Sequence, residues 1–205
     1  AEHLGVVGRL KLAHKNALKA VELDPFNAGA NSVAGFACAA IGDKGAAVKF
    51  TRAAIDLGHP WAVYDLVILL LEAGDLDSAK RIVETEIAPV NEEAMREFRL
   101  FLAAKLDPNA IDAYFDWVRE NLPGNVGILA MDNLWFGRVD EAVEILADLP
   151  MSGCIVERFW TTSSAPLRRH PAFADMLRRA GLVDYWDKYG WPDACRRDGE
   201  KITCR

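Results

Sequence analysis

The stretch GDKGAAVKFTRAAIDLGHP, residues 42–60, decides the fold that the sequence predicts. A glycine opens this stretch, alanines follow at Ala47 and Ala54, and Pro60 closes it. The glycine permits a left-handed turn at the end of one helix, and the small alanines let the next helix approach its neighbours closely. The spacing therefore predicts two helices that are joined by a tight turn at Gly42.

The same pattern recurs along the chain and indicates an internal helical repeat. Ala47 and Ala79 are 32 residues apart, while Ala79 and Ala142 are 63 residues apart, which leaves room for one divergent repeat at 92–121. Each copy begins with glycine and carries an alanine five residues later; the copies cover residues 8–25, 42–60, 74–87 and 137–149. Repeats of paired helices predict an all-α fold.

Helix pairs with this spacing resemble the tetratricopeptide repeat. In the unit that begins near Ala28, the paired small residues of the family's first helix fall on Ala34 and Gly35. Cys38 stands where the family usually has a bulky aromatic residue, which is a departure from the pattern. The resemblance implies an α–α superhelix of helical hairpins over residues 1–150, with a truncated first repeat and the divergent repeat at 92–121.

The first repeat retains only the end of its first helix, residues 1–7. A half-helix exposes an apolar face that a segment upstream of it should cover, as the ends of repeat arrays require. We therefore expect the chain to be part of a longer protein, with a short native capping helix as the alternative.

Residues 151–205 are predicted to form a short, helical, aromatic-rich cap on this array. They contain PLRRHPAF (166–173), AGLVDYW (180–186) and GWPDAC (190–195) in that order. This order resembles the C-terminus of bacterial multidomain regulators, in which tetratricopeptide repeats follow a class III adenylyl cyclase or a winged-helix domain. The side chains expected to cover the end of the last repeat are Phe173, Leu182, Tyr185, Trp186 and Trp191.

Cys195 and Cys204 flank an Asp-Gly turn signal. A four-residue loop over residues 198–201 would place the two cysteines opposite each other, at a spacing compatible with a disulfide, whereas a two-residue Asp-Gly loop would leave them offset by two. A bridge would imply an oxidising compartment or oxidation after purification. The predicted localisation is cytoplasmic, with the periplasm as the alternative if the bridge is native.

The charge distribution argues against nucleic-acid binding, and the hydropathy argues against a membrane-spanning segment. Residues 1–150 carry 14 Lys and Arg against 23 Asp and Glu, and such an acidic body argues against direct nucleic-acid binding. The longest apolar run, 66–71, is far shorter than the roughly 18 residues of a membrane span.

Sequence motifs of catalysis are missing as well. The chain contains no phosphate-binding glycine loop, no zinc-protease HExxH and no GxSxG nucleophile motif. His59 and His170 each precede a proline at a predicted helix start, where a structural role is expected. We therefore predict no catalytic residues, no metal site and no cofactor.

Protein binding is the function that remains. In tetratricopeptide arrays the first helix of each repeat lines a groove, and here its inward positions would be Asn31, Ser32, Phe36, Trp61, Tyr64 and Ile68. Because this set is apolar and aromatic, we expect it to bind an apolar helix or extended peptide from a protein partner or from an upstream domain of the same polypeptide. The alternative for Trp61 and Tyr64 is packing between repeats.

The resulting prediction is a non-catalytic interaction module of a bacterial signalling or transcription protein. Two alternatives stay open: a self-association module that forms a homodimer, and a domain that senses a small molecule within the superhelix.

Overall fold

A computed structural model describes residues 1–87 and 92–205, apart from the side chains of residues 92–95 and 154. Within these ranges the chain is mainly helical, with one two-stranded sheet, so the predicted all-α fold class is confirmed. The helices are α1 (Glu2–Val6), α2 (Leu10–Leu23), α3 (Ala28–Ala40), α4 (Lys44–Asp56), α5 (Ala62–Ala73), α6 (Leu76–Ile82), α7 (Glu92–Leu106), α8 (Ile111–Asn121), α9 (Val126–Trp135), α10 (Val139–Asp148), α11 (Gly153–Arg158), α12 (Ala165–Arg169), α13 (Phe173–Arg179) and α14 (Leu182–Tyr189). A π-helical turn, Val83–Ile87, extends α6, and a 3-10 turn, Pro108–Ala110, precedes α8.

Glycine and aspartate set the turns between helices. Gly42 has a φ of +88°, and the carboxylate of Asp43 then accepts a hydrogen bond from the Ala46 amide at 3.0 Å. The same pair recurs before α6, where Gly74 has a φ of +78° and Asp75 accepts from the following helix. Aspartate at this position satisfies an amide that the first turn of a helix leaves free. The Gly-Asp pairs that recur in the sequence therefore correspond to turns in which the aspartate caps the following helix.

Small side chains bring α3 and α4 together. An added Cβ at Gly35 would overlap the Thr51 hydroxyl and lie 3.2 Å from the Thr51 backbone nitrogen. Ala47 is fully buried beside Cys38, which fills the position where a larger aromatic side chain was expected. The helices are too close at this point for a larger residue, so glycine and alanine are structural requirements here.

Contacts divide the chain into two compact units, and this division differs from the predicted boundary at residue 150. One unit consists of residues 17–124, and the other combines residues 1–16 with residues 125–205. The second unit includes α9 and α10 because the C-terminal segment is bonded to α10. The Arg179 guanidinium donates to the carbonyl oxygens of Leu146 and Leu149 at 3.1 and 2.8 Å.

The sheet is a hairpin of β1 (Cys195–Asp198) and β2 (Lys201–Cys204), which pair antiparallel with Cys195 opposite Cys204. This is the register that the loop over residues 198–201 predicts, but Asp198 and Lys201 themselves pair, so the loop consists of residues 199–200. Gly199, with a φ of +59°, takes the first central position of the turn, whereas an Asp-Gly turn would place it second, so the turn lies one residue later in the chain. This shift aligns the two cysteines, and the structure joins them in a disulfide.

Candidate interaction surface

Three aromatic side chains of the unit 17–124 form a continuous surface, which we call the aromatic row: Trp61, Tyr64 and Phe98. The ring centroids of Trp61 and Tyr64 are 5.9 Å apart, and those of Tyr64 and Phe98 are also 5.9 Å apart. Trp61 is 66% exposed, while the other two rings are half-buried. The row therefore exposes apolar ring surface at Trp61, while Tyr64 and Phe98 are partly covered by the protein.

The local sequence explains how Trp61 reaches this position. Gly58 has a φ of +83° and ends α4, after which His59 and Pro60 turn the chain toward α5. The Trp61 amide donates to Nδ1 of His59 at 3.4 Å, and Trp61 itself is the N-cap of α5. His59 thus supports the turn, in agreement with the structural role that its position before a proline predicted.

Trp61 is an unfavourable choice for a helix N-cap. Serine, threonine, aspartate and asparagine are preferred there because their side chains accept hydrogen bonds from free amides, and an indole has no such acceptor. The chain uses aspartate or asparagine at this position in α3, α4 and α6. Helices α8 and α10 also begin without a capping side chain, at Ala110 and Arg138, so what distinguishes Trp61 is its exposed ring.

Charge contributes little next to the row. Arg99 follows Phe98 directly and is paired with the carboxylate of Glu84. Hydrogen bonding from this guanidinium holds the pKa of Glu84 below its usual value, so the pair stays ionised and mutually neutralised. Arg52 and Glu86 form a second pair at 2.8 Å. The three rings themselves offer a ligand apolar contact.

The other predicted groove residues fall into two groups. Asn31 is buried, and its amide donates to the carbonyl oxygens of Pro25 and Asn27 at 3.0 and 2.9 Å, so it supports the loop before α3 and is not available to a ligand. Ile68 lies one turn after Tyr64 on the same face of α5 and is partly exposed. Ser32 and Phe36, on α3, are also partly exposed.

Sequence reasoning missed Phe98. It lies in the divergent segment 92–121, where no glycine–alanine pattern indicates which face of the helix packs against its neighbours. The spacing of Phe98 and Phe101 marks an aromatic helix edge, but only the structure shows that the first of these rings faces Tyr64. The alternative that Trp61 is packed between repeats does not fit its exposure, whereas Tyr64 does pack against Phe98.

The predicted cap residues pack in the other unit, against a surface that the sequence did not indicate. Phe173, Leu182 and Trp186 are buried, while Tyr185 and Trp191 are partly buried. The indole of Trp186 donates to the carbonyl oxygen of Val7 at 2.9 Å.

The indole of Trp160 likewise donates to the carbonyl oxygen of Val6 at 3.0 Å. The C-terminal tryptophans therefore close the end of α1, in addition to the bonds that the segment makes to α10. Residues of the same chain provide this cover for the half-helix at 1–7, which was expected from an upstream segment.

Two titratable side chains, His170 and Cys38, have structural surroundings. His170 accepts from the Ala172 amide at 3.2 Å and lies 3.2 Å from Asp140, an arrangement that fixes the start of α13. Burial, assisted by Asp43, raises the pKa of the Cys38 thiol to about 11, which keeps it protonated. Among the described residues no group of three or more His, Cys, Asp or Glu is placed to hold a metal ion.

Helix length bears on membrane insertion. In the described ranges no helix combines the length and the apolar character needed to cross a bilayer.

Comparison of the chain with protein-family models, with curated proteins and with solved structures gives no significant match. The resemblance to tetratricopeptide repeats therefore rests on the sequence motifs alone.

Proposed function

We propose that this chain is a non-catalytic interaction module that binds an apolar helix or extended peptide through the aromatic row. The observation that carries the proposal is Trp61, which is 66% exposed at a helix N-cap and continues into the rings of Tyr64 and Phe98. Tryptophan, tyrosine and phenylalanine are enriched in the buried centres of protein interfaces and dominate their binding energy.

The partner belongs to this proposal as well. Resemblance to the tetratricopeptide region of bacterial regulators supports a partner that is either another protein or an upstream domain of the same polypeptide. It also supports a superhelical arrangement of the hairpins and a cytoplasmic location. The disulfide between Cys195 and Cys204 favours the periplasm if it forms in the cell.

Site-specific photo-cross-linking in the native host tests the proposal. The photoreactive residue p-benzoylphenylalanine replaces Trp61 in one strain and Phe26 in a control strain. Phe26 is a suitable control because it is 82% exposed in the same unit but lies in the loop before α3, outside the row. We expect a discrete protein adduct from position 61, and none from position 26.

The adduct must also depend on the rest of the row. Adding Tyr64→Ala to the strain that carries the photoreactive residue at position 61 should abolish it. Equal adducts from positions 26 and 61, or an adduct that survives Tyr64→Ala, would contradict the proposal. An adduct of twice the mass of the chain would favour self-association over a foreign partner.

A further inference from the structure

The segment directly before the disulfide hairpin lies beside the start of α2 and supplies its cap. Both carboxylate oxygens of Asp193 accept from the Lys11 amide, each at 3.3 Å. This amide is in the first turn of α2 and has no acceptor within the helix. Arg9 occupies the N-cap, and its guanidinium has only donors, so it cannot perform this function. The cap of α2 therefore comes from a residue about 180 positions away in the chain.

The disulfide fixes the position of this cap. Asp193 is two residues before Cys195, and Arg205 directly follows Cys204. The Arg205 guanidinium donates to the Asp193 carboxylate at 3.0 Å, and the Arg205 amide donates to the carbonyl oxygen of Ala194. The disulfide thus joins the two ends of the hairpin that carry this contact.

Apart from the covalent bond, the hairpin is held by polar contacts at the surface: Arg197 pairs with Asp187 at 2.8 Å, and the Arg168 guanidinium donates to the carbonyl oxygen of Arg205 at 2.6 Å. Each strand has four residues, and apart from the buried cysteines nearly all of them are exposed. A two-stranded hairpin of this kind is marginally stable on its own. Order in the hairpin, and with it the position of Asp193, should therefore depend on the disulfide.

We propose that the Cys195–Cys204 disulfide is a redox-sensitive latch that fixes the start of α2 and is opened by dithiol reductants. One thiolate of the dithiol attacks a cysteine sulfur, the S–S bond breaks, and a mixed disulfide forms. The other cysteine leaves as a thiolate in this step, and the second thiol of the reductant then displaces the attacked cysteine from the mixed disulfide. Two electrons and two protons pass to Cys195 and Cys204, and the reductant leaves as a disulfide.

Opening is local because other contacts between the same segments do not involve the hairpin. The Arg9 guanidinium donates to the carbonyl oxygens of Tyr189 and Gly190 at 2.6 and 2.7 Å. The Trp186 indole remains bonded to Val7. Reduction thus releases the cap of α2 while α14 stays in place.

Amide hydrogen exchange on the full chain tests this latch. Exchange at Lys11 is measured by NMR for the oxidised protein, for the protein reduced with dithiothreitol, and for Cys195→Ser/Cys204→Ser with and without reductant. We expect exchange at Lys11 to be at least tenfold faster in the reduced protein. The double variant should show the fast rate under both conditions, and the amides of α4 should not change in any sample.

A second variant separates the cap from a general loss of structure. Asp193→Ala retains the disulfide, and in it Lys11 should exchange rapidly whether or not reductant is present. The latch is overturned if reduction leaves Lys11 exchange unchanged, or if Asp193→Ala retains the full redox response. It is also overturned if the amides of α14 accelerate as much as Lys11, because the disulfide would then be a general staple.

Discussion

At Gly35 the backbone of α3 meets the backbone of α4. The nearest atoms to an added Cβ belong to Thr51 and to the carbonyl oxygen of Ala47, which lies 3.3 Å away. Two of these contacts are backbone atoms that cannot rotate away, so the helices themselves would have to separate. The paired small residues of the sequence motif thus have a steric cause.

Gly35→Ala should destabilise the protein by about 1–3 kcal/mol, the usual cost of overpacking. Gly45→Ala is the matched control, since the nearest atom to its added Cβ is 3.9 Å away and alanine favours helix more than glycine does. Urea denaturation followed by circular dichroism measures both variants. If Gly35→Ala is as stable as Gly45→Ala, the proposed close approach of α3 and α4 is wrong.

Cys38 should be unreactive in the folded protein. Its pKa of about 11 leaves on the order of one thiolate per thousand molecules at pH 8, roughly a hundredfold less than for an ordinary thiol. Iodoacetamide labelling followed by peptide mass spectrometry should therefore modify Cys38 much more slowly in native protein than in urea. Equal labelling rates in the two conditions would show that the thiol is not buried against Ala47 and Leu69.

At the scale of single elements, the tryptophans of the C-terminal segment close α1 through indole hydrogen bonds. The ring of Trp186 is fully buried and also contacts the ring of Trp191, with centroids 5.1 Å apart. The two residues differ in where their N–H groups point. Trp186 donates to the Val7 carbonyl, and Trp191 donates to the exposed carboxylate of Asp187.

Trp186→Phe should therefore cost about 1–3 kcal/mol, because it leaves the partly buried carbonyl oxygen of Val7 without its donor. Trp191→Phe is the matched variant and should cost less, since water can solvate the Asp187 carboxylate. The free energy of unfolding of each variant, taken from urea titrations, measures the difference. An equal cost for both substitutions would mean that packing alone, and not the bond to Val7, accounts for the role of Trp186.

Structural features that depend only on residues close in sequence could be predicted. The turns at Gly42 and Gly74 follow from glycine and a capping aspartate, and the buried alanines follow from their spacing. The bonds from Trp160 and Trp186 join residues that are 154 and 179 positions apart, and periodicity contains no information about such pairs. Phe98 was missed for a related reason. The segment 92–121 lacks the repeat pattern, so the sequence does not indicate which side of its helix faces Tyr64.

At the scale of the whole molecule, the two proposed functions belong to different compact units. The aromatic row belongs to the unit 17–124, and the disulfide latch belongs to the unit of residues 1–16 and 125–205. The predicted boundary at residue 150 did not show this, because the contacts that join the first and last segments are long-range.

The most direct test of the binding function is the affinity of a selected peptide for Trp61→Ala. Apolar helical and extended peptides are selected by display against the oxidised full chain, and the tightest is titrated into wild type, Trp61→Ala and the control Phe26→Ala. Loss of an interface hot spot costs about 2 kcal/mol or more, so Trp61→Ala should bind roughly 30-fold more weakly while Phe26→Ala binds like wild type. Unchanged affinity in a folded Trp61→Ala chain would contradict the assignment of the aromatic row as the binding surface.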